Sequence, residues 1–390
     1  MENTLIIIDG NSIINRAFYA LPDMSNSDGL KTNAIFGFVR MMFKIIEDYQ
    51  PTHMSVAFDK KAPTFRHKQY ADYKAGRKKM PDELGQQLEP LKELLDKFNI
   101  NRLELAGYEA DDIIGTVAKL GEENNFKVYI VTGDKDAIQL ASHKTTTLIT
   151  KKGVGEVEEY NYDSVVERYE MTPTQFIDLK GLMGDKSDNI PGVPGVGEKT
   201  ALKLITEYGD LESVYDHIED ISGKKLKERL VENKDLAFLS RELATIKTDM
   251  DLSYKVEDFV QNFHTSEVQP LFETLGFTKL TPRIVQVMGG EEAAFGDLGS
   301  LFAPQEEISL DDVADAKALT PDFYTDKTVA VHVVLDGKTP FRTIETAYLS
   351  NGDTIVKTND TKAVLAVLQG AKAIVTTQTK ELIEALGEES

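Results

Sequence analysis

Nine carboxylates in the first half of the chain have the spacing of a centre that binds divalent metal ions. Three lie in or beside short apolar runs typical of strands, and five occupy two stretches of four residues each. The nine are Asp9, Asp59, Glu109, Asp111, Asp112, Asp134, Asp136, Asp185 and Asp188. Two like charges about 4 Å apart repel by roughly 1 kcal/mol in water and about 4 kcal/mol at an effective dielectric of 20. A fold that gathers them needs a cation, and hard oxygen ligands suit Mg²⁺ or Mn²⁺.

The spacing within the clusters favours a pair of ions. Glu109 and Asp112 are three positions apart at the start of a predicted helix and share one face, while Asp111 points elsewhere. Two cations about 3.5–4 Å apart promote the hydrolysis of a phosphodiester, because one activates the attacking water and the other stabilises the leaving oxygen. The alternatives are ordinary surface aspartates and a calcium loop, although the spacing does not match the EF-hand pattern.

A basic, aromatic stretch follows Asp59. Residues 60–79 contain eight Lys or Arg and a single acid. If this stretch is helical, one face carries Tyr70, Tyr73, Lys74 and Arg77. Cations bind phosphates and aromatic rings stack on unpaired bases, so we predict a nucleic-acid contact that includes Phe65 and Arg66. The alternative is a solvated basic helix.

The glycine run after Asp188 predicts a hairpin between two helices. It resembles a phosphate-binding P-loop, but Glu198 stands where that motif requires Lys. A hairpin that leads into a helix at Glu198–Tyr208 would aim free N–H groups at a DNA backbone without reading its sequence. The predicted contacts are Gly192, Gly195, Gly197, Lys199, Thr200 and Lys203. The alternative is an ordinary helix–helix turn.

Composition restricts the class of protein. A chain of 390 residues with 41% apolar and 28% charged residues is typical of a globular protein of two or three domains. The absence of cysteine excludes disulfides, zinc–thiolate sites and thiol nucleophiles, and it fits a cytoplasmic location. No signal peptide or membrane-spanning run is recognisable, so no membrane partner is expected. The net charge of −21 does not exclude nucleic acid, because residues 284–316 carry eight acids and the basic stretch is local.

The elements that must position the carboxylates alternate between strands and helices. The pattern predicts strands at 5–8, 54–58, 128–132 and 145–150, and helices at 34–49, 86–98 and 110–121. This alternation indicates an α/β fold with a mostly parallel central sheet flanked by helices. Ligands bind beyond the carboxyl ends of such strands, which is where Asp9, Asp59 and Asp134 are placed.

The rest of the chain divides into three further segments. The α/β nuclease core is predicted over 1–165, with a basic arch at about 61–90. It is followed by a helical DNA-binding subdomain over 166–285, with a helix–hairpin–helix at 185–208. An acidic linker over 286–316 then leads to a small α/β segment over 317–390. The last segment has predicted strands at 329–335, 346–349 and 373–376 and a helix at 361–368.

Taken together, the motifs resemble those of the 5′-nuclease (flap endonuclease) domain of bacterial DNA polymerase I, which has a PIN-like fold. The resemblance extends to about residue 285. The motifs are Ile8-Asp-Gly-Asn-Ser12, Ala57-Phe-Asp59, Tyr73-Lys-Ala-Gly-Arg77, Gly107-Tyr-Glu-Ala-Asp-Asp112, Thr132-Gly-Asp-Lys-Asp136 and the run from Gly184 to Gly197.

The resemblance implies a role for each position. One metal ion would be held by Asp9, Asp59, Glu109 and Asp111. The second would be held by Asp134, Asp136 and Asp185, with Asp112 and Asp188 ligating directly or through water. Lys74 and Arg77 on a helical arch would steady the scissile phosphate and, with Asp111, form the catalytic set. Tyr73 and Arg16 would help to place the 5′ strand, and the hairpin at 190–203 would grip the duplex, with a K⁺ ion in its turn.

The implied activity is Mg²⁺-dependent hydrolysis of DNA at 5′ flaps, nicks and 5′ ends, including RNA primers, in replication and repair, with Mn²⁺ as a substitute ion. A metal-bound hydroxide would attack phosphorus and leave a 5′-phosphate product, and the protein would act as a monomer.

Residues from about 310 resemble the opening of the next module of that polymerase, which has a 3′→5′ exonuclease fold. Proofreading enzymes of that fold carry an Asp-x-Glu pair on the first strand, and residues 329–335 lack it. The module is therefore expected to be inactive. The chain reads as a polymerase fragment or truncated product that does not synthesise DNA.

Two other functions remain open on the residues alone. One is a PIN-like ribonuclease, which the glycine hairpin and basic arch make less favourable than a nuclease for DNA junctions. The other is a catalytically silent module that binds DNA junctions. A silent module would have no reason to retain nine mutually repelling acids.

Overall fold

The computed structural model describes residues 3–151, 156–264, 267–277, 280–288, 321–336, 343–351 and 354–375. The chain forms two compact units, residues 1–295 and 296–390. Within the described ranges, every helix is too short or too polar to cross a membrane.

A six-stranded sheet lies at the centre of the first unit. Its strands are β1 (Thr4–Asp9), β2 (His53–Ala57), β3 (Asn101–Leu103), β4 (Lys127–Thr132), β5 (Thr145–Thr150) and β6 (Val157–Tyr160). They stand in the order β3-β2-β1-β4-β5-β6. All neighbours are parallel except β6, which pairs antiparallel with β5. The mostly parallel α/β sheet predicted from the sequence is confirmed, and β3 and β6 are additions to it.

Helices cover both faces of the sheet because successive side chains of a buried strand point to opposite sides. The helices of this part are α1 (Gly10–Ala20), α2 (Asn33–Tyr49), α3 (Phe65–Gln69), α4 (Asp82–Lys97) and α5 (Ala110–Glu123). Ile6 and Ile8 of β1 pack in the core formed with α1, α2 and α4, while Leu5 and Ile7 pack in the core formed with α5. This sandwich fixes the carboxyl edge of the sheet.

The remainder of the first unit is largely helical. It contains α6 (Tyr162–Tyr169), α7 (Gln175–Met183), α8 (Glu198–Tyr208), α9 (Leu211–Asp216), α10 (Lys224–Glu232), α11 (Lys234–Ala244), α12 (Gln269–Thr274) and α13 (Thr281–Met288), with 3₁₀ helices at Lys135–Leu140 and Val256–Phe259. The helices from α7 to α11 share a core of their own. By contrast, α12 and α13 contribute Phe272 and Ile284 to the core on one face of the sheet.

The predicted helical arch is wrong in its local structure. Only α3 is helical before α4 begins at Asp82, and the chain between them forms turns. Lys74 has φ of 57°, in the left-handed region that a helix cannot continue through. Tyr70, Tyr73, Lys74 and Arg77 therefore do not share the face of one helix.

The second unit contains a four-stranded sheet in the order β10-β7-β8-β9. Its elements are α14 (Pro321–Tyr324), β7 (Thr328–Asp336), β8 (Thr343–Ser350), β9 (Ile355–Thr358), α15 (Thr361–Gly370) and β10 (Ala373–Val375). Val329, Val331 and Val333 of β7 pack against Val364 and Val367 of α15. Residues 289–316 of the predicted linker lie outside the described residues.

Candidate metal centre and nucleic-acid interface

Four of the nine carboxylates line one cavity at the carboxyl edge of the sheet. They are Asp9, Asp59, Asp111 and Asp134, and the cavity has a volume of about 570 Å³. Asp9 is the last residue of β1, Asp59 and Asp134 follow β2 and β4, and Asp111 lies in the first turn of α5. The same cavity is lined by the cations Arg16, Lys74, Arg77 and Lys78. The fold therefore places acids and cations from distant parts of the sequence around one space.

Hydrogen bonds hold these carboxylates in place. Asp9 caps α1 by accepting from the Ser12 amide at 2.9 Å, and its other oxygen accepts from the Thr132 hydroxyl at 2.8 Å. Asp59 accepts from the first amide of α5, that of Ala110, at 2.8 Å. A carboxylate at a helix N-terminus is favoured by the helix dipole and the free amides there. The positions of the acids are thus set by the same contacts that begin the helices.

The cavity is electrostatically costly for its acids. Burial raises the pKa of Asp9 to about 7, and the charges of Asp59 and Asp134 act in the same direction against the hydrogen bonds to Asp9. Burial, with the charges of Asp9 and Asp134, raises the pKa of Asp111 well above its ordinary value. Such a site gains stability from a cation. Its all-oxygen donor set fits a hard divalent ion such as Mg²⁺ or Mn²⁺.

The raised pKa of Asp9 predicts how stability depends on pH in chelator. The folded state holds this proton up to about pH 7, whereas the unfolded state loses it near the ordinary value of 3.8. The folded state thus binds more protons between these values, so its stability falls as pH rises through that window. The unfolding temperature in EDTA is expected to be lower at pH 8 than at pH 5.5, and Mg²⁺ is expected to raise it more at pH 8.

The comparison variant is Asp9→Asn, which removes one titration and should make the pH profile shallower. The pKa values of Asp111 and Asp136 are also raised, so these two acids keep a slope of the same sign. Asp185 does not affect this comparison, because its pKa is lowered to about 2 and it titrates below the pH range that is measured. An unfolding temperature in EDTA that rises from pH 5.5 to 8 would contradict the electrostatic account of the cavity.

A lysine links the next two carboxylates. The ammonium of Lys180, on α7, bonds to Asp136 and lies 2.6 Å from Asp185. Burial acts to raise the pKa of Asp185, but hydrogen bonds from Lys180 and Ser187 outweigh it and hold the pKa at about 2. Burial and the nearby charge of Asp134 raise the pKa of Asp136 to about 6, despite Lys180.

Glu109 and Asp188 pair with residues of the turns that follow α3. Lys74 lies 2.8 Å from Glu109, and Arg77 lies 2.5 Å from Asp188. The Tyr73 hydroxyl lies 3.0 Å from Glu109 and 3.2 Å from Asp188, and the two carboxylates share its single proton as acceptors. Since Lys74 also lines the cavity, these two acids lie beside the first group of four.

The nine acids therefore lie in one region of the fold, but they do not form one coordination shell. Among the described residues, no three acidic or histidine side chains are close enough to hold a single ion. Protein cations stand between several of them instead, at Glu109, Asp136, Asp185 and Asp188.

The assignment of Asp112 as a metal ligand requires correction. Its carboxylate is fully buried and receives both terminal nitrogens of Arg66, at 2.7 and 2.8 Å. It also accepts from the amides of Glu109 and Lys247. These four donors satisfy both oxygens, so Asp112 has a structural role in the described residues.

Arg66 and Tyr73 were predicted to contact DNA, and their burial contradicts this. Only 2% of Arg66 is exposed, and its remaining donors bond to the carbonyls of Leu243 and Thr245. Tyr73 is 3% exposed. Arg66 instead ties α3 to α5 and to the chain that leaves α11, while Tyr73 ties the turns after α3 to Glu109 and Asp188.

The other predicted contacts are placed differently. Arg16 lines the carboxylate cavity and donates to the carbonyl of Lys151 at 2.8 Å. Phe65 lines a separate cavity with Phe238 and lies under the cations of Arg66 and Lys247. Tyr70 is half-buried beside the small cluster that contains Tyr73.

The glycine run forms the predicted hairpin between α7 and α8. Asp185 and Ile190 exchange backbone hydrogen bonds of 2.9 and 2.7 Å, and α8 begins at Glu198 as predicted. Gly192 has φ of 61°, and a Cβ there would collide with the backbone of Gly184, so both features require glycine. Lys199 and Lys203 are exposed and Thr200 is half-buried near the start of α8; Gly195 and Gly197 are exposed in the turn.

Two family models divide this region between them. The model described as "5'-3' exonuclease, N-terminal resolvase-like domain" matches residues 4–170. The model described as "5'-3' exonuclease, C-terminal SAM fold" matches residues 171–267. The chain belongs to the 5′-3′ exonuclease family. The prediction of a 5′-nuclease family is thereby confirmed.

Curated relatives of this 5′-3′ exonuclease are bacterial DNA polymerases I. The chain is 49% identical to that of Bacillus subtilis over 80% of this chain and 34% of the relative. It is 47% identical to that of Geobacillus stearothermophilus over 84% of this chain and 37% of the relative. The chain thus spans about a third of the length of these relatives.

Solved structures show the same fold. T5 5′-exonuclease with bound divalent zinc ions has a TM-score of 0.54 and 25% identity, and the match covers 73% of this chain and all of that one. The catalytic core of Rad2 in complex with a DNA substrate has a TM-score of 0.51 and 21% identity, over 74% of this chain and 92% of that one. At that identity, Rad2 shows likeness of fold alone.

Proposed function

We propose that the chain is a metal-dependent 5′ nuclease that cuts DNA at flaps, nicks and 5′ ends and removes RNA primers. The observation that carries this proposal is the cavity in which four carboxylates face Lys74, Arg77 and Arg16. A cavity lined by both acids and cations suits the binding of metal ions together with a phosphodiester.

The proposed ion sites follow the carboxylate groups. Since no three acids of the described residues now surround one point, the side chains of Asp9, Asp59, Asp111 and Asp134 would have to draw together around divalent ions in the cavity. Asp136 and Asp185 would complete a second site, and Glu109 and Asp188 would lie at its margin. When bound, Mg²⁺ would supply an activated water and neutralise the charge that develops on the leaving oxygen. T5 5′-exonuclease, with divalent ions in its structure, supports this choice of ligand class.

The residues of the chain would bind and orient the substrate. Lys74 and Arg77 would exchange their present carboxylate partners for the scissile phosphate, while Arg16 would neutralise a neighbouring phosphate. The exposed start of α8, with Lys199 and Lys203, would hold the duplex backbone, and K⁺ is a candidate ion for the hairpin. We propose that this activity serves replication and repair and that a monomer suffices.

A 5′-labelled flap duplex tests the proposal directly. Incubation with Mg²⁺ should release short labelled products, incubation with EDTA should release none, and single-stranded RNA of the same sequence should be cut far more slowly. Rapid cleavage of the RNA alone would favour a PIN-like ribonuclease. Binding of the flap without any cleavage would favour a silent junction-binding module.

Lys74→Ala is expected to slow cleavage about a hundredfold with little change in the dissociation constant for DNA. Its ammonium reaches the carboxylate cavity, where one donor to a developing charge contributes about 10²–10³ in rate. Single-turnover cleavage and fluorescence anisotropy in Ca²⁺ measure the two quantities separately.

Lys68→Ala is the matched control, because Lys68 lies in the same basic stretch and is exposed. It should leave cleavage within about a few-fold of the unaltered protein, as expected for a solvated surface charge. Equal losses of binding and turnover in Lys74→Ala would remove the proposed role in phosphate positioning.

A further inference from the structure

Lys180 occupies the space between two carboxylates that come from different parts of the fold. Asp136 lies in the 3₁₀ helix after β4, and Asp185 lies in the loop after α7. The Lys180 ammonium bonds to Asp136 Oδ1 and is 2.6 Å from Asp185 Oδ2. Its side chain is only 14% exposed. A positive group of the protein is thus already where a bridging cation would bind.

The two acids are held by the surrounding structure. Asp185 is fixed by its paired backbone bonds to Ile190, and its other oxygen accepts from the Ser187 amide and hydroxyl at 2.7 and 2.6 Å. Asp136 follows Asp134, whose side chain accepts from the Asp136 amide at 2.9 Å. The carboxylate of Asp185 and the backbone of Asp136 are therefore held in place, and the Lys180 ammonium occupies the space between the two carboxylates.

We propose that Lys180 is an internal counter-ion that competes with a divalent ion for Asp136 and Asp185. This inference rests on the proposed metal-dependent function. Binding of the ion at this pair requires the ammonium to leave, so the affinity of the pair is lower than that of the cavity lined by Asp9 and Asp111. The flexible four-carbon stem of lysine gives the ammonium a path to solvent.

The competition follows from electrostatics. An ammonium bonded to two carboxylates gains charge-assisted hydrogen bonds that a metal ion must replace. The ion must also lose water, which Mg²⁺ does reluctantly. In return, the lysine neutralises two half-buried acids when no ion is bound. Lys180 therefore stabilises the fold at the expense of ion affinity.

Titration of the metal-free full chain with Mn²⁺, followed by calorimetry and electron paramagnetic resonance, tests this inference without DNA or cleavage. The unaltered protein is expected to bind one ion tightly and a further ion weakly. Lys180→Met should tighten the weak ion at least about tenfold, a factor that corresponds to about 1.4 kcal/mol. Lys180→Arg, which keeps the charge, should leave the weak ion weak.

The matched control is Lys186→Met, since Lys186 adjoins Asp185 in sequence but is exposed. It removes the same formal charge and should change the affinity of the weak ion by no more than about twofold, because solvent and salt screen an exposed charge.

Thermal unfolding gives a second readout should Lys180→Met fold poorly without metal. The variant should lose stability in EDTA and regain it in Mn²⁺, so its unfolding temperature should rise more on addition of the ion than that of the unaltered protein. Two ions bound with the same affinities in both proteins, and an equal rise in unfolding temperature, would overturn the role of Lys180. No ion bound by the unaltered protein would overturn the proposed function itself.

Discussion

Asp111→Asn is expected to abolish cleavage of a 5′ flap while duplex binding persists. The Asp111 carboxylate faces the cavity close enough to Asp9 and Asp134 for their charges to raise its pKa. An amide of the same size keeps the space filled but removes one negative charge from the proposed ion site. Loss of the ion's contribution, about 4 kcal/mol, corresponds to about a thousandfold in rate. Single-turnover cleavage in Mg²⁺ and anisotropy in Ca²⁺ measure the two effects.

The control for this substitution is Asp163→Asn. Asp163 also lies in the first turn of a helix, α6, but is exposed. It should cleave at the rate of the unaltered protein. Cleavage by Asp111→Asn at a rate within about tenfold of that rate would refute the assignment of Asp111 to the metal centre.

Arg66→Met is expected to lower the free energy of unfolding by about 3–5 kcal/mol. The substitution leaves the Asp112 carboxylate, which is 0% exposed, without its guanidinium partner, and an uncompensated buried charge has that cost. It also removes the donors to the carbonyls of Leu243 and Thr245. Urea unfolding in EDTA measures the loss.

Arg102→Met is the matched control, because the Arg102–Asp96 pair is 33% and 50% exposed. Breaking such a surface pair should cost no more than about 1 kcal/mol. A double variant, Arg66→Met with Asp112→Leu, should recover part of the loss, since it removes the orphaned charge as well. Equal losses for the buried and the exposed pairs would show that Arg66 does not stabilise the fold as described.

The central strands were predictable because burial on both faces demands continuous apolar runs. The run from Leu5 to Ile8 and the run from Val128 to Val131 have no polar residue that would suit a solvent face. β3 and β6 were missed for the opposite reason. β3 has three residues, only one of them buried, and β6 is an edge strand with two glutamates.

The misassigned residues are those whose role depends on a distant partner. Arg66 looked like one cation of a basic stretch, but its carboxylate partner, Asp112, is 46 positions away. Lys74 was placed on a helix, although the Ala-Gly pair after it is a signal for a turn. Lys180 gave no signal at all, because a lone lysine in a predicted helix is ordinarily solvated.

Two hydrogen bonds connect the segment that carries Lys74 to the loop of the glycine hairpin. The Lys74 amide donates to the carbonyl of Asp188 at 2.8 Å, and the Asn189 side chain donates to the carbonyl of Asp72 at 2.7 Å. On the proposed function, the element that grips the helix of DNA and the element that meets the bond to be cut are thereby kept at a constant separation. The distance from the duplex contact to the bond that is cut would then be constant. The incision would fall at a set number of nucleotides from the junction, whatever the length of the flap.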